Sequence, residues 1–166
     1  MKKLIKTFDI KIDKIIPVFH QWIQQDIIPD HLVIDVVDYK HIIDGPGIML
    51  IAHEANISID RENNEIGLMY IRKKPLNKTL IENITEIKSI LDFLADSLKN
   101  DPLLLDKIEF KESYKIYSND RLQLSKNKTS IEYLLTNAKK VFKNSNINFL
   151  NSKLNSRLTI KIKKTK

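Results

Sequence analysis

The sequence contains no cysteine. Disulfides, thiolate metal sites and thiol catalysis are therefore excluded. Glycine is scarce as well, with three residues, at positions 45, 47 and 67. Two of them sit in "DGPG" (44–47), which is too short for a phosphate cradle and joins two strands rather than opening a helix. No serine lies in a G-x-S-x-G elbow, which excludes an α/β-hydrolase nucleophile. No segment reaches the roughly 18 consecutive apolar residues that a membrane-crossing helix needs. The opening "MKKLIKTFDIKIDKII" is no secretory leader, because Asp9, Lys11 and Asp13 interrupt it and no small-residue cleavage site follows. A cytoplasmic protein with no membrane partner is the expectation.

Arginine is also rare. Only four of the 28 basic residues are Arg. The formal charge is +7 and unevenly spread, with −2 over residues 1–100 and +9 over 101–166. A basic C-terminal third suits RNA, DNA or another polyanion. Phosphate readers favour Arg forks, however, and this excess is Lys. Ile (27), Lys (24) and Asn (14) dominate the chain, and all three have A/T-rich codons. The lysine excess therefore points to codon usage as well as to a ligand.

What is present fits one domain. A chain of 166 residues, 42% apolar and 30% charged, is long enough for a real core and too short to suggest two. "LIKTFDIKI" (4–12) alternates as a strand. "KIIPVFHQWIQQDII" reads as a helix, with Asp13 as its N-cap and Pro17 in its first turn. Three strands are expected at 32–43, 48–59 and 65–73, joined by "DGPG" and "DRENNE". "NKTLIENITEIKSILDFLADSLKND" is a helix opened by a Thr79–Glu82 capping box. A strand at 107–118 follows, and 119–125 holds a turn with a short strand. The third helix is expected to start at Thr129, with Glu132 completing the cap. One or two strands end the chain, the clearer at 157–163. "NKTLIENI" and "NKTSIEYL" echo each other 50 residues apart, either as a decayed duplication or as two helices with the same cap.

These elements make residues 1–166 a single α+β domain, with a mainly antiparallel twisted sheet and three helices packed on one face. The expected order is β-α-β-β-β-α-β-(β)-α-β, with room for one more terminal strand. The first and last strands, both lysine-bearing, are expected at the sheet edges. The basic tail 161–166 is expected to be flexible.

All four histidines and the one tryptophan lie in the first 53 residues, so the N-terminal half is where a site is expected. If "DGPG" is a tight four-residue turn, Ile43 pairs with Ile48 and Asp38 stands opposite His53. If the next loop closes with Ile59 opposite Ile66, His53 stands opposite Arg72. Directly opposed residues share a face. Asp38, His53 and Arg72 then form one row, able to orient a general base or to hold a carboxylate or phosphate. The plain alternative is a satisfied structural pair at the core margin, with Arg72 reaching for water. Tyr39, His41 and Glu54 lie on the other face and can form a polar ligand groove, a solvated surface or a homodimer contact. No metal site is expected. His20, His31, His41 and His53 lack helical i, i+4 spacing, and strand parity turns Asp38 and Asp44 away from His41. No cofactor is implied.

"IPVFHQWIQQD", "IDVVDYKHIIDGPGIMLIAHEANISID", "IGLMYIRKK" and "SNDRLQLSKNKTSIE" resemble an uncharacterised family of small bacterial proteins. The resemblance spans most of the chain. It implies a bacterial intracellular protein and assigns no activity and no catalytic residue. The leading functional expectation is a binding or accessory protein, acting on a partner protein or small anionic ligand through the N-terminal three-stranded meander. The alternative is a small acid/base enzyme using Asp38, His53 and Arg72. The third is nucleic-acid binding by Lys139, Lys140, Lys143, Lys161, Lys163 and Lys164.

Overall fold

Most of the helices and strands follow from local patterning. The computed structural model describes residues 1–74, 77–119, 126–150 and 157–165. In chain order it holds β1 (Lys2–Phe8), α1 (Ile15–Gln24), β2 (Val33–Tyr39), β3 (Gly47–Ala52), β4 (Ala55–Asp60) and β5 (Gly67–Arg72). Then come α2 (Leu80–Asn100), β6 (Ile108–Tyr117), α3 (Lys128–Val141), β7 (Ser145–Phe149) and β8 (Thr159–Lys164). The α+β class and the order of strands and helices agree with the reading of the sequence. The expected strand at 48–59 is divided at His53 and Glu54 into β3 and β4. The short strand expected within 119–125 falls mostly outside the described residues.

The eight strands form one sheet in the order β2-β3-β4-β5-β1-β6-β8-β7. Every neighbouring pair is antiparallel. β1 is therefore central, and the edges are β2 and β7, which corrects the expectation that the first and last strands lie outside. Lys2 and Lys3 of β1 misled that reading, because they are neutralised inside the fold, Lys2 by Asp60 and Lys3 by Asp92. Lys161–Lys164 belong to β8, so the expected flexible tail is largely a strand. At the β2 edge, carboxylates occupy two backbone donors: Val36 N–H donates to Asp35 Oδ1 at 2.7 Å and Lys40 N–H to Asp38 Oδ1 at 2.9 Å.

Register sorts the two faces. Leu50, Ile57 and Tyr70 stand in one row, and Ile59, Leu68, Lys3, Tyr114 and Ile162 in another. This face carries the core with α1, α2 and α3. α2 turns Ile84, Leu91, Leu94 and Leu98 inward, each burial contributing about 2 kcal/mol. Its capping box forms as expected, with Glu82 N–H donating to Thr79 Oγ1 at 3.3 Å and Thr79 N–H to Glu82 Oε2 at 2.7 Å. Two other caps differ from expectation. Asp13 lies in a 3₁₀ turn (Ile12–Lys14) ahead of α1, whose N-cap is Lys14. α3 is capped by Asn127, which accepts from Ser130 N–H at 2.8 Å, and not by Thr129. The two echoing segments thus open their helices at different positions, Thr79 in one and Asn127 in the other.

Candidate functional site

The expected Asp38–His53–Arg72 row does not form. Asp38 stands opposite Ile48, and Tyr39 opposite Gly47. The chain reverses over residues 40–46 rather than in a four-residue turn, which moves the partner of Asp38 by five positions. An odd slip also changes which face a strand's side chains share. His53 is in the turn between β3 and β4, and Arg72 stands opposite Ala55. Exposed Asp38 is held by Lys40, whose backbone N–H first, and then ammonium, keep its carboxyl below the ordinary carboxylate value against the opposing effect of desolvation. The second expected group is split as well. The rings of Tyr39 and His41 lie 6.4 Å apart. Glu54 instead accepts from Leu32 N–H at 2.9 Å and lies 3.3 Å from His53 Nδ1. His31 is buried. Its Nδ1 faces the Pro29 carbonyl at 2.7 Å and therefore carries the proton, leaving Nε2 to accept from Tyr70 Oη at 2.7 Å.

Arg72 does reach a site, of another kind. In the central part of the sheet Lys2 stands opposite Met69 of β5 and Lys115 of β6. β5 runs on to Arg72 and β6 to Tyr117, while β1 begins at Lys2. A gap one strand wide, roughly 10 Å across, is left between the two strand ends. A cavity of about 790 Å³ occupies it, with Met1 on its floor. The starts of α2 and α3 complete the wall through Leu80, Asn83, Ser130 and Tyr133. Helix starts carry partial positive charge.

The charged lining is all of one sign. Arg72, Lys73, Lys74, Lys78 and Arg157 face the cavity, and no Asp or Glu does so among the described residues. The balancing carboxylates stand behind. Glu86 takes Arg72 at 3.1 Å and Lys78 at 2.7 Å, and Glu62 takes Arg157 at 3.1 Å. The Lys78 ammonium first, and then Arg72, hold the Glu86 carboxyl below its ordinary value against the opposing effect of desolvation. Lys73 Nζ donates to the Ala52 carbonyl at 2.6 Å, and Lys74 Nζ lies 3.1 Å from His53 Nε2. Burial, with Arg157 adding to it, pushes the Met1 amine down to about 5. Two buried donors, Arg72 Nε and Tyr117 Oη, have no hydrogen-bond partner among the described residues. Burial first, and then Glu62 and Asp60, push the Tyr117 phenol well up, so it remains a neutral donor.

A second ionic cluster, also missed in the sequence, lies on the face without helices. Lys2, Lys115 and Lys161 stand in one row across three adjacent strands. Lys2 is fully buried, and its Nζ donates to Asp60 at 2.5 Å and to the Glu65 carbonyl. The Glu65 carboxylate takes Lys115, and Lys161 at 2.7 Å. Burial alone would raise Glu65, but these two lysines overrule it and hold the carboxyl at about 2. The Lys2 stem crosses Gly67, where an added Cβ would lie 2.8 Å from it and 2.6 Å from the Lys3 carbonyl oxygen. The signal in the sequence was lysine in strands otherwise built of apolar residues, as in "KKLIKTF" and "SYKIY". Lys161 is thereby engaged. Lys161 and Lys163 share this face, whereas Lys139 and Lys140 lie on α3 over the other. The six lysines expected to bind nucleic acid do not form one stripe. No family model, curated protein or solved structure matches the chain.

Proposed function

We propose that the protein binds a small organic anion in the cleft where β1 stops short of β5 and β6. The carrying observation is the lining, with five cations, no carboxylate among the described residues, and two buried donors left without a partner. Positive charge gathered in a concave, partly apolar site attracts and retains anions. This keeps the small anionic ligand of the sequence reading and moves its site from the faces of the meander to the end of β5. The acid/base reading draws no support from the register, because its three residues are apart. The test is thermal unfolding at constant ionic strength with benzoate, citrate and inorganic phosphate, and with choline as the cationic control. Binding to the native state raises the midpoint with anion concentration. The rise is expected for the anions, absent for choline, and much reduced in Arg72→Met. Equal responses to anions and choline would sink the reading.

A further inference from the structure

Resting on the reading of the cleft as an anion site, we infer that the ligand is a phosphomonoester carried on an apolar or aromatic body. The charge balance argues for more than one negative charge. Five lining cations face two contacting carboxylates, Glu86 and Glu62. A monocarboxylate corrects this excess by one, whereas a phosphomonoester brings about −1.5 to −2 near neutral pH. The donors argue for more than two acceptor oxygens. Arg72 Nε is unused on the helix-bearing face, and its residue lines the cavity. Ser130 and the start of α3, with Leu80 and the start of α2, face the same space. A phosphate offers three terminal oxygens to such a set, a carboxylate two. Arginine forks and helix starts are also the groups that suit phosphate.

The body follows from volume and lining. About 790 Å³ is far more than a phosphate fills, and it lies within the range of pockets for organic ligands, roughly 300–1,000 Å³. Met69, Ile71, Leu80 and Ile87 supply an apolar wall, and the half-exposed Tyr133 ring supplies an aromatic one. The phosphate end belongs near Arg72 and the starts of α2 and α3, the body against these side chains.

The experiment is isothermal titration of the full chain with phenyl phosphate, phenylacetate and inorganic phosphate at one ionic strength. Phenyl phosphate is expected to bind about tenfold or more tightly than either of the others. Arg72→Lys keeps the charge and removes the Nε donor. It should weaken phenyl phosphate about tenfold and leave phenylacetate within about threefold. Phenylacetate binding as tightly as phenyl phosphate would overturn the phosphate assignment while leaving the anion site standing. Inorganic phosphate binding as tightly as phenyl phosphate would overturn the organic body. An unchanged phenyl phosphate affinity in Arg72→Lys would overturn the donor. No binding of any of the three would remove the anion site itself.

Discussion

Two groups of cations lie on either side of the first residue of β1 and are handled in opposite ways. Lys2, Lys115 and Lys161 stand side by side across three strands, where like charges repel, yet Asp60 and Glu65 meet all three. Arg72, Lys73, Lys74, Lys78 and Arg157 surround an open volume with their carboxylates behind them and two donors unused. Burial of charge is therefore no sign of function in itself. The first cluster is closed on its own terms and holds strands together. The second leaves two donors without a partner among the described residues, which is what the proposed anion would answer.

The contrast can be tested through its parts. The largest effect is expected from Asp60→Ala, which strands the fully buried Lys2 ammonium. Breaking one side of a buried pair costs about 3–5 kcal/mol. Denaturant titration should show this loss, and adding Lys2→Met to the same chain should restore much of it. Next comes acid. Glu65 sits at about 2 in the fold against an ordinary 4.5, so the folded state releases its proton more readily. Its contribution is complete above pH 4.5 and is lost as pH falls from there towards 2. Stability measured across that window should fall in wild type, and Glu65→Gln should flatten this part of the curve.

Lys78→Ala should behave in the reverse manner. The side chain is half-exposed and Glu86 keeps Arg72, so stability should change by no more than about 1 kcal/mol. Affinity for phenyl phosphate should nevertheless fall severalfold in titration. The smallest effect is expected from Glu109→Ala, which frees an exposed Lys6 outside both clusters. Its stability should stay within about 0.5 kcal/mol of wild type and its anion affinity should not move. A large loss there would mean that charge in general, and not its placement, governs this fold.

What could be read in the sequence was what depends on neighbours along the chain. α2 was legible because its capping box and its Ile84–Leu91–Leu98 stripe are local signals. The strands of the meander were legible as elements but not as partners. Their register hangs on the 40–46 loop, which is longer than the turn residues suggest, and on the break at His53 and Glu54. The cleft was out of reach for a further reason. It exists because β1 inserts between β5 and β6 and begins three residues short of the end of β5 and two short of the end of β6, a matter of strand order and register. Arg72 was picked out through a register that placed it opposite His53; that register does not hold, yet Arg72 does line the cleft. Tyr117 and Arg157 carried no local signal at all, since one lies at the end of β6 and the other just before β8.

The crossing of Lys2 over Gly67 has a consequence for how the sequence can drift. Position 67 cannot gain a side chain whatever stands at position 2, because the Lys3 carbonyl oxygen lies 2.6 Å from where a Cβ would be, and Lys2 cannot become apolar while Asp60 and the Glu65 carbonyl await its ammonium. Glu65 in turn is tied to Lys115 and Lys161. The five charged positions lock one another, so single substitutions are penalised and only joint replacement is neutral. Among descendants of a common ancestor they should be inherited as a block, present together or absent together. If the cleft holds the proposed anion, the residues around it should instead diverge one at a time as ligands diverge.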